Sequence, residues 1–159
     1  MIEETEGFVV GRLDHLCILR TRAPMSVASV DAFYAGVLAM SEEFSEPLVT
    51  LVIPGARRPT TSTEVRSRVK AVWPKILERS TATAIWIRQG SFAGAIQRSI
   101  ASTITLLIRG SAAIKICSSA EAATAFMIAR RSTAPATTQD WTPVLDQFAT
   151  AFDPTGVQP

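Results

Sequence analysis

Nucleophilic catalysis needs a serine or cysteine beside a base, yet this chain holds one histidine, His15, and two cysteines, Cys17 and Cys117. Both cysteines sit in short aliphatic runs, where a free thiol behaves as a small buried hydrophobe. His15 falls at a turn between two strand-like runs and has no second histidine to share a metal and no serine or cysteine motif that places it as a base. A glycine-rich phosphate loop followed by Lys-Ser/Thr is absent, and acidic residues are scarce in the apolar segments, so phosphoryl transfer and paired-carboxylate hydrolysis lack their groups. Two cysteines also supply neither a disulfide framework nor a zinc set. The expectation is a non-enzymatic protein with no metal and no cofactor.

The residues that remain are cations and hydroxyls. Residues 1 to 56 hold three basic and eight acidic side chains, residues 57 to 131 hold thirteen basic and three acidic, and the remainder holds three acidic and none basic. A net charge of +2 for the chain therefore hides a strongly basic middle, which is either an electropositive face suited to an acidic protein, phosphate or nucleic acid, or a surface over which the acidic ends fold back. Its centre is Arg57-Arg58-Pro59-Thr60-Thr61-Ser62-Thr63-Glu64, followed by Arg66, Arg68 and Lys70. Thr61 stands three residues before Glu64, the spacing of a capping box that opens a helix. Nucleic acid is the weaker fit, because Trp73, Trp86 and Phe92 fall on apolar stripes and are spent on the core instead of base stacking.

Elements that must hold this stretch are legible from periodicity. Glu46-Pro47 leads into the run Leu48 to Ile53, and further runs at Ala84 to Arg88 and Ala113 to Cys117 are too far apart in sequence for hairpins. Helix-period segments between them point to a parallel sheet with helical crossovers. Ahead of these, Gly7 to Arg12 and Leu16 to Arg22 flank Leu13-Asp14-His15 at hairpin spacing. A helix from Ser26 or Ser29 to Phe44 carries Val30, Phe33, Tyr34, Val37, Leu38 and Met40 on one stripe. The helix after Thr61 carries Val65, Val69, Val72, Trp73, Ile76 and Leu77, with a kink expected at Pro74. A third, strongly apolar helix is expected from Ser91 to Ile108. A fourth after Ser118-Ser119-Ala120-Glu121 is expected to turn Ala122, Ala125, Phe126 and Ala129 inward. Residues 132 to 140 read as a Ser/Thr/Pro linker. Trp141, Val144, Leu145, Phe148 and Phe152 then mark a short amphipathic helix in the 141 to 159 tail. That helix needs a cover, either the chain's own domain (1 to 131) or a partner.

Apolar residues at 47% and charged residues at 19% of 159 fit one soluble α/β domain. The acidic start is wrong for a secretory signal, and no apolar run reaches the roughly 18 to 20 residues a membrane span needs. A cytoplasmic protein is expected.

The order strand-strand-helix-strand-helix-strand-helix-strand-helix, ending in a helix opened by Ser118-Ser119-Ala120-Glu121, resembles the STAS domain of anti-sigma-factor antagonists and sulfate transporters. It also resembles the single-domain bacterial proteins that share this fold with lipid-transfer domains. The resemblance spans Gly7 to Arg131. It implies a STAS-like α/β fold: a mixed, mostly parallel sheet of about five strands with an N-terminal hairpin and about four helices. It further implies a regulatory protein-binding role, with a phospho-acceptor in the loop that here contains Thr60, Thr61, Ser62 and Thr63. This loop lacks the Asp-Ser-Ser-Gly pattern of the antagonists; the plain reading of the same residues is an N-cap beside a solvated basic loop. The partner surface then comprises Arg57, Arg58, Arg66, Arg68 and Lys70, together with Trp141, Leu145 and Phe148 if the last helix is displayed. Likeness to lipid-transfer domains implies the alternative of an apolar ligand or lipid in a cavity lined by Phe92, Ile96, Ile100, Trp73 and Trp86.

Overall fold

A computed structural model describes residues 3–22, 24–55, 62–87, 113–130 and 141–151. In chain order the elements are β1 (Glu3–Glu4), β2 (Phe8–Leu13), β3 (Leu16–Thr21), α1 (Val27–Glu43), β4 (Leu48–Ile53), α2 (Thr63–Leu77), β5 (Ser80–Trp86), β6 (Ile114–Cys117), α3 (Ala120–Arg130) and α4 (Thr142–Ala151). The strands form one sheet in the order β1-β2-β3-β4-β5-β6. The first three are antiparallel, and β3 to β6 are parallel. Five strands of four to seven residues thus make the mixed, mostly parallel sheet expected, and a two-residue β1 is added at one edge. No helix among the described residues is long and apolar enough to cross a membrane.

Local chemistry explains where the elements begin and turn. The β2–β3 hairpin closes through Asp14 and His15, with Asp14 at φ 50°, a left-handed conformation that a short polar side chain tolerates. Helix α1 opens on a reciprocal capping box in which the Ser26 hydroxyl accepts from the Ser29 amide and the Ser29 hydroxyl accepts from the Ser26 amide. Helix α2 is capped by Ser62, whose hydroxyl accepts from the Val65 amide at 3.2 Å. The cap is therefore Ser62 and not Thr61, because that phase sends Val65, Val69, Val72, Trp73 and Ile76 into the core. Pro74 does not split the helix: it stands in the last turn, where the missing N–H would have served the carbonyl of the exposed Lys70.

Alternation along each strand sends side chains to two cores, one per face of the sheet. Val10, Cys17, Leu19, Leu48, Val52 and Ile85 pack with α1 and α2 on the first face. Leu16, Ile18, Val49, Leu51, Ala84, Trp86 and Cys117 pack with α3 and α4 on the second. Helices on both faces explain why all six residues of β3 and of β4 are buried. On the first face, Thr50 and Thr83 are fully buried and share a hydroxyl–hydroxyl bond of 2.7 Å across β4 and β5. Thr50→Val, which strands the Thr83 hydroxyl, is expected to cost about 1–3 kcal/mol of stability, and Thr50→Val with Thr83→Val to cost less than the single change. A double-mutant cycle by chemical denaturation checks this; an additive double variant would show that the pair is not coupled.

Several boundaries differ from the reading of the sequence. Strand β5 begins at Ser80, four residues before Ala84, because α2 ends at Leu77 with Glu78 as its cap and the Arg79 carbonyl at once accepts from the Leu48 amide. Helix α3 buries Ala120, Ala123, Thr124 and Met127 and leaves Ala125 and Ala129 exposed, one helical step from the face expected. Trp73 and Trp86 lie in different cores, so the sheet separates them and they cannot line one cavity. The helix expected over 91 to 108, with Phe92, Ile96 and Ile100, and the linker 132 to 140 lie outside the described residues.

Candidate partner-binding face

Helix α2 places Val65, Val69, Val72, Trp73 and Ile76 on the sheet, which leaves Arg66, Arg68, Lys70 and Lys75 on its exposed side. The four cations divide by direction. Arg68 Nε meets Asp31 Oδ1 of α1 at 2.5 Å, and the Lys75 ammonium stands 6.0 Å from the Tyr34 ring centre, also on α1. Just past the helix, Arg79 Nη1 donates to the Ser41 hydroxyl at 3.3 Å. These three side chains strap α2 to α1. An exposed pair such as Arg68–Asp31 contributes at most about 1 kcal/mol, so Arg68 remains easy to recruit. Arg66 and Lys70 are exposed and form no ion pair among the described residues.

At the head of α2, Ser62 and Thr63 are exposed and lie within one turn of Arg66. A phosphoryl group on either would face the free N–H end of the helix and the Arg66 side of it. Arg57, Arg58, Thr60 and Thr61 lie outside the described residues. The strand end that precedes them is firmly held. Arg20 Nη1 donates to the Pro54 carbonyl at 3.1 Å, and the Gly55 amide donates to Thr21 Oγ1 at 2.8 Å.

Arg20 was not singled out from the sequence, yet it is 2% exposed. The signal was there: Arg20 alternates with Ile18, so both stand on the second, covered face. His15 also departs from expectation. Its ring is largely buried and packs on Phe44 at 4.3 Å between centres, while Arg12 stands over the same Phe44 ring. Arg12 also pairs with Glu43, which holds that carboxyl below its usual range.

Of the two covers open to the last helix, its own domain or a partner, the structure shows the first for the residues that would have served a partner. Trp141 and Leu145 are buried in the second core, and Phe148 packs against it with its ring on Gly11. The reason is steric and apolar: Gly11 has no side chain, which opens a slot on β2 that the Phe148 ring fills. In this arrangement α4 covers its own domain and does not offer Trp141 or Leu145 to a partner.

Comparison with known proteins returns nothing to set beside this geometry. No family model, curated protein or solved structure matches the chain. The face must be judged on its own chemistry.

Away from that face, neither cysteine is held in the reactive thiolate form. Burial pushes the Cys17 thiol up to about 12 and raises Cys117 as well, against a small opposing effect of Lys115. Among the described residues no cluster of three His, Cys, Asp or Glu could hold a metal ion. Because Cys17 is raised in the fold, the unfolded chain loses its proton first, so stability is full below about 9 and falls as pH rises from there toward about 12. Denaturation midpoints measured across that range are expected to drop, and Cys17→Ala to flatten the drop. Equal slopes in both proteins would contradict it.

Proposed function

We propose that this protein is a non-enzymatic interaction module of STAS-like fold that binds an acidic protein surface through the outer face of α2. One observation carries the reading: Arg66 and Lys70 project from α2 into solvent without an ion pair among the described residues, while the neighbouring Arg68, Lys75 and Arg79 are turned toward α1. Exposed cations of this kind add little to the stability of their own fold. They are well suited to steering and registering a partner of opposite charge. The basic residues Arg57 and Arg58, next in sequence before the helix, belong to the same proposal, as does phosphorylation at Ser62 or Thr63 as its switch.

The sign of that switch follows from the charges. A phosphoryl group adds about two negative charges beside Arg66, which weakens attraction for an acidic partner even as it strengthens the helix cap. Arg66→Glu with Lys70→Glu is expected to lower partner affinity about tenfold at low ionic strength while leaving the unfolding midpoint nearly unchanged. Added salt should weaken the wild type more than the variant. Affinity-captured protein, quantified against wild type at two salt concentrations, reads this out. Unchanged capture by the charge-reversed variant would remove the proposal's basis.

A further inference from the structure

Strand β6 ends the sheet, and its hydrogen bonds have a direction. The Thr83 amide of β5 donates to the Ala113 carbonyl at 2.6 Å, and the Ile87 amide donates to the Cys117 carbonyl at 3.0 Å. Thr83 is registered on Ile114 and Ile85 on Ile116, so the parallel ladder commits the main-chain groups of Ala113, Lys115 and Cys117 to β5. The amides and carbonyls of Ile114 and Ile116 point the other way, out of the sheet. Among the described residues nothing pairs with them there.

Natural sheets blunt a free edge by keeping it short or charged. The opposite edge does both, since β1 is two residues long and both are glutamates. Strand β6 runs for four residues and carries one charge, Lys115. Its side chains alternate: Ile114 and Ile116 are half-buried against the first core, while Lys115 is exposed on the second face. There the Lys115 ammonium stands 5.6 Å from the centre of the Phe126 ring of α3, and the Arg130 guanidinium stands over the same ring at 5.4 Å. Lys115 forms no ion pair among the described residues. The edge thus offers two outward N–H groups, two outward carbonyls, and an apolar-basic-apolar row of side chains. A second copy of β6 is a poor complement. The antiparallel register that uses all four outward groups sets Ile114 against Ile116 and Lys115 against its own equivalent, and like charges directly opposite each other are destabilising.

We infer that the outer edge of β6 receives an extended peptide segment of a partner, one acidic residue flanked by two apolar ones, as an added antiparallel strand. The two apolar residues exchange main-chain hydrogen bonds with Ile114 and Ile116 and extend the first core. The acidic residue stands opposite Lys115, on the face that carries Phe126, and pairs with the ammonium. The edge is separate from the outer face of α2 and does not depend on protein binding there.

The amides of β6 supply their own control, because those of Ile114 and Ile116 face outward and those of Lys115 and Cys117 face β5. Full-length ¹⁵N-labelled protein is titrated with the peptide acetyl-Ser-Thr-Val-Glu-Val-Thr-Ser-amide. Saturable shifts are expected along β6. At saturation, hydrogen exchange at Ile114 and Ile116 is expected to slow about tenfold or more, with little change at Lys115 and Cys117. The same peptide N-methylated at both valines keeps its side chains but loses the amides that face β6, and is expected not to bind. Lys115→Glu, a change at an exposed position, is expected to weaken the peptide about fivefold and to bind better the peptide with lysine in place of glutamate. Unchanged protection of its Cys117 amide checks that β6 stays paired. Arg66→Glu with Lys70→Glu is expected to leave peptide binding intact, so the α2 reading and this one fail separately. Signals of β6 unmoved at millimolar peptide overturn the inference, as does equal binding of the N-methylated peptide or an unaltered charge preference in Lys115→Glu. Ile114 and Ile116 amides already protected in the free protein, which would mean a covered edge, overturn it too.

Discussion

Trp141→Ala is expected to lower the free energy of unfolding by about 3–5 kcal/mol, a large share of the roughly 5–15 kcal/mol that a domain of this size possesses. Trp141 is 1% exposed at the head of α4 and is packed with Leu145, which is fully buried, in the second core. Removing the indole leaves a hole that the sheet beneath cannot close, because β3 and β4 are held in register by neighbours on both sides. The same packing predicts that a chain ending at Arg131 exposes Leu16, Ile18, Val49 and Leu51, and associates or unfolds instead of surviving as an independent unit. Urea denaturation of Trp141→Ala reads the effect directly. A loss below about 1 kcal/mol would mean that α4 is an appendage and that the second core is complete without it.

Gly55→Ala is the second large effect, expected at about 1–3 kcal/mol, and its cause lies in backbone proximity. A Cβ at Gly55 would stand 2.6 Å from the Thr21 carbonyl oxygen and 3.1 Å from the carbonyl carbon and oxygen of Arg22. All three are main-chain atoms near the end of β3, so none can swing aside as a side-chain tip would. The displacement would also stretch the Gly55 amide bond to Thr21 and pull Pro54 from Arg20. Gly7→Ala is the matched control: nothing lies within 4 Å of its added carbon, and the change is expected within about 0.5 kcal/mol of wild type. Equal midpoints for the two variants would show that the strand end relaxes freely. Because Gly55 starts the connection that enters α2 at Ser62, its variant also tests whether that helix is anchored from the sheet.

What could be read from the sequence divides along physical lines. Helices α1 and α2 were legible because their apolar stripes follow one period, and the α1 cap because its Ser26–Ser29 bonds are local; the α2 cap fell one residue past the Thr61 expected, at Ser62. The parallel order of β4, β5 and β6 was legible because their separation excludes hairpins. Ser80 to Thr83 did not read as strand, because small and hydroxyl side chains carry no hydrophobic alternation; Thr83 is held by its long-range bond to Thr50. The phase of α3 was ambiguous for a similar reason. Alanines occupy both its faces, and only contact with the sheet distinguishes Ala123 from Ala125. The fate of the last helix was undecidable locally, since its cover depends on Gly11, more than 130 residues earlier in the sequence.

On the proposed binding face, Arg66, Lys70, Ser62 and Thr63 are where periodicity put them, because each lies off the apolar stripe of α2. Arg68 is not equivalent to them, a distinction that needs the position of Asp31 on α1. Buried Arg20 was hidden by its own charge, which reads as surface until the covered second face is known.

The central claim is that a partner docks on the outer face of α2. Its most direct test places a photo-crosslinking residue at Lys70 of the full chain, and separately at Ala125 on the exposed side of α3, in native lysate. The account predicts a discrete protein adduct from position 70 that is lost with Arg66→Glu or at high salt, and none of the same mass from position 125. An adduct formed only from position 125, or one from position 70 that is indifferent to charge reversal and to salt, would contradict it.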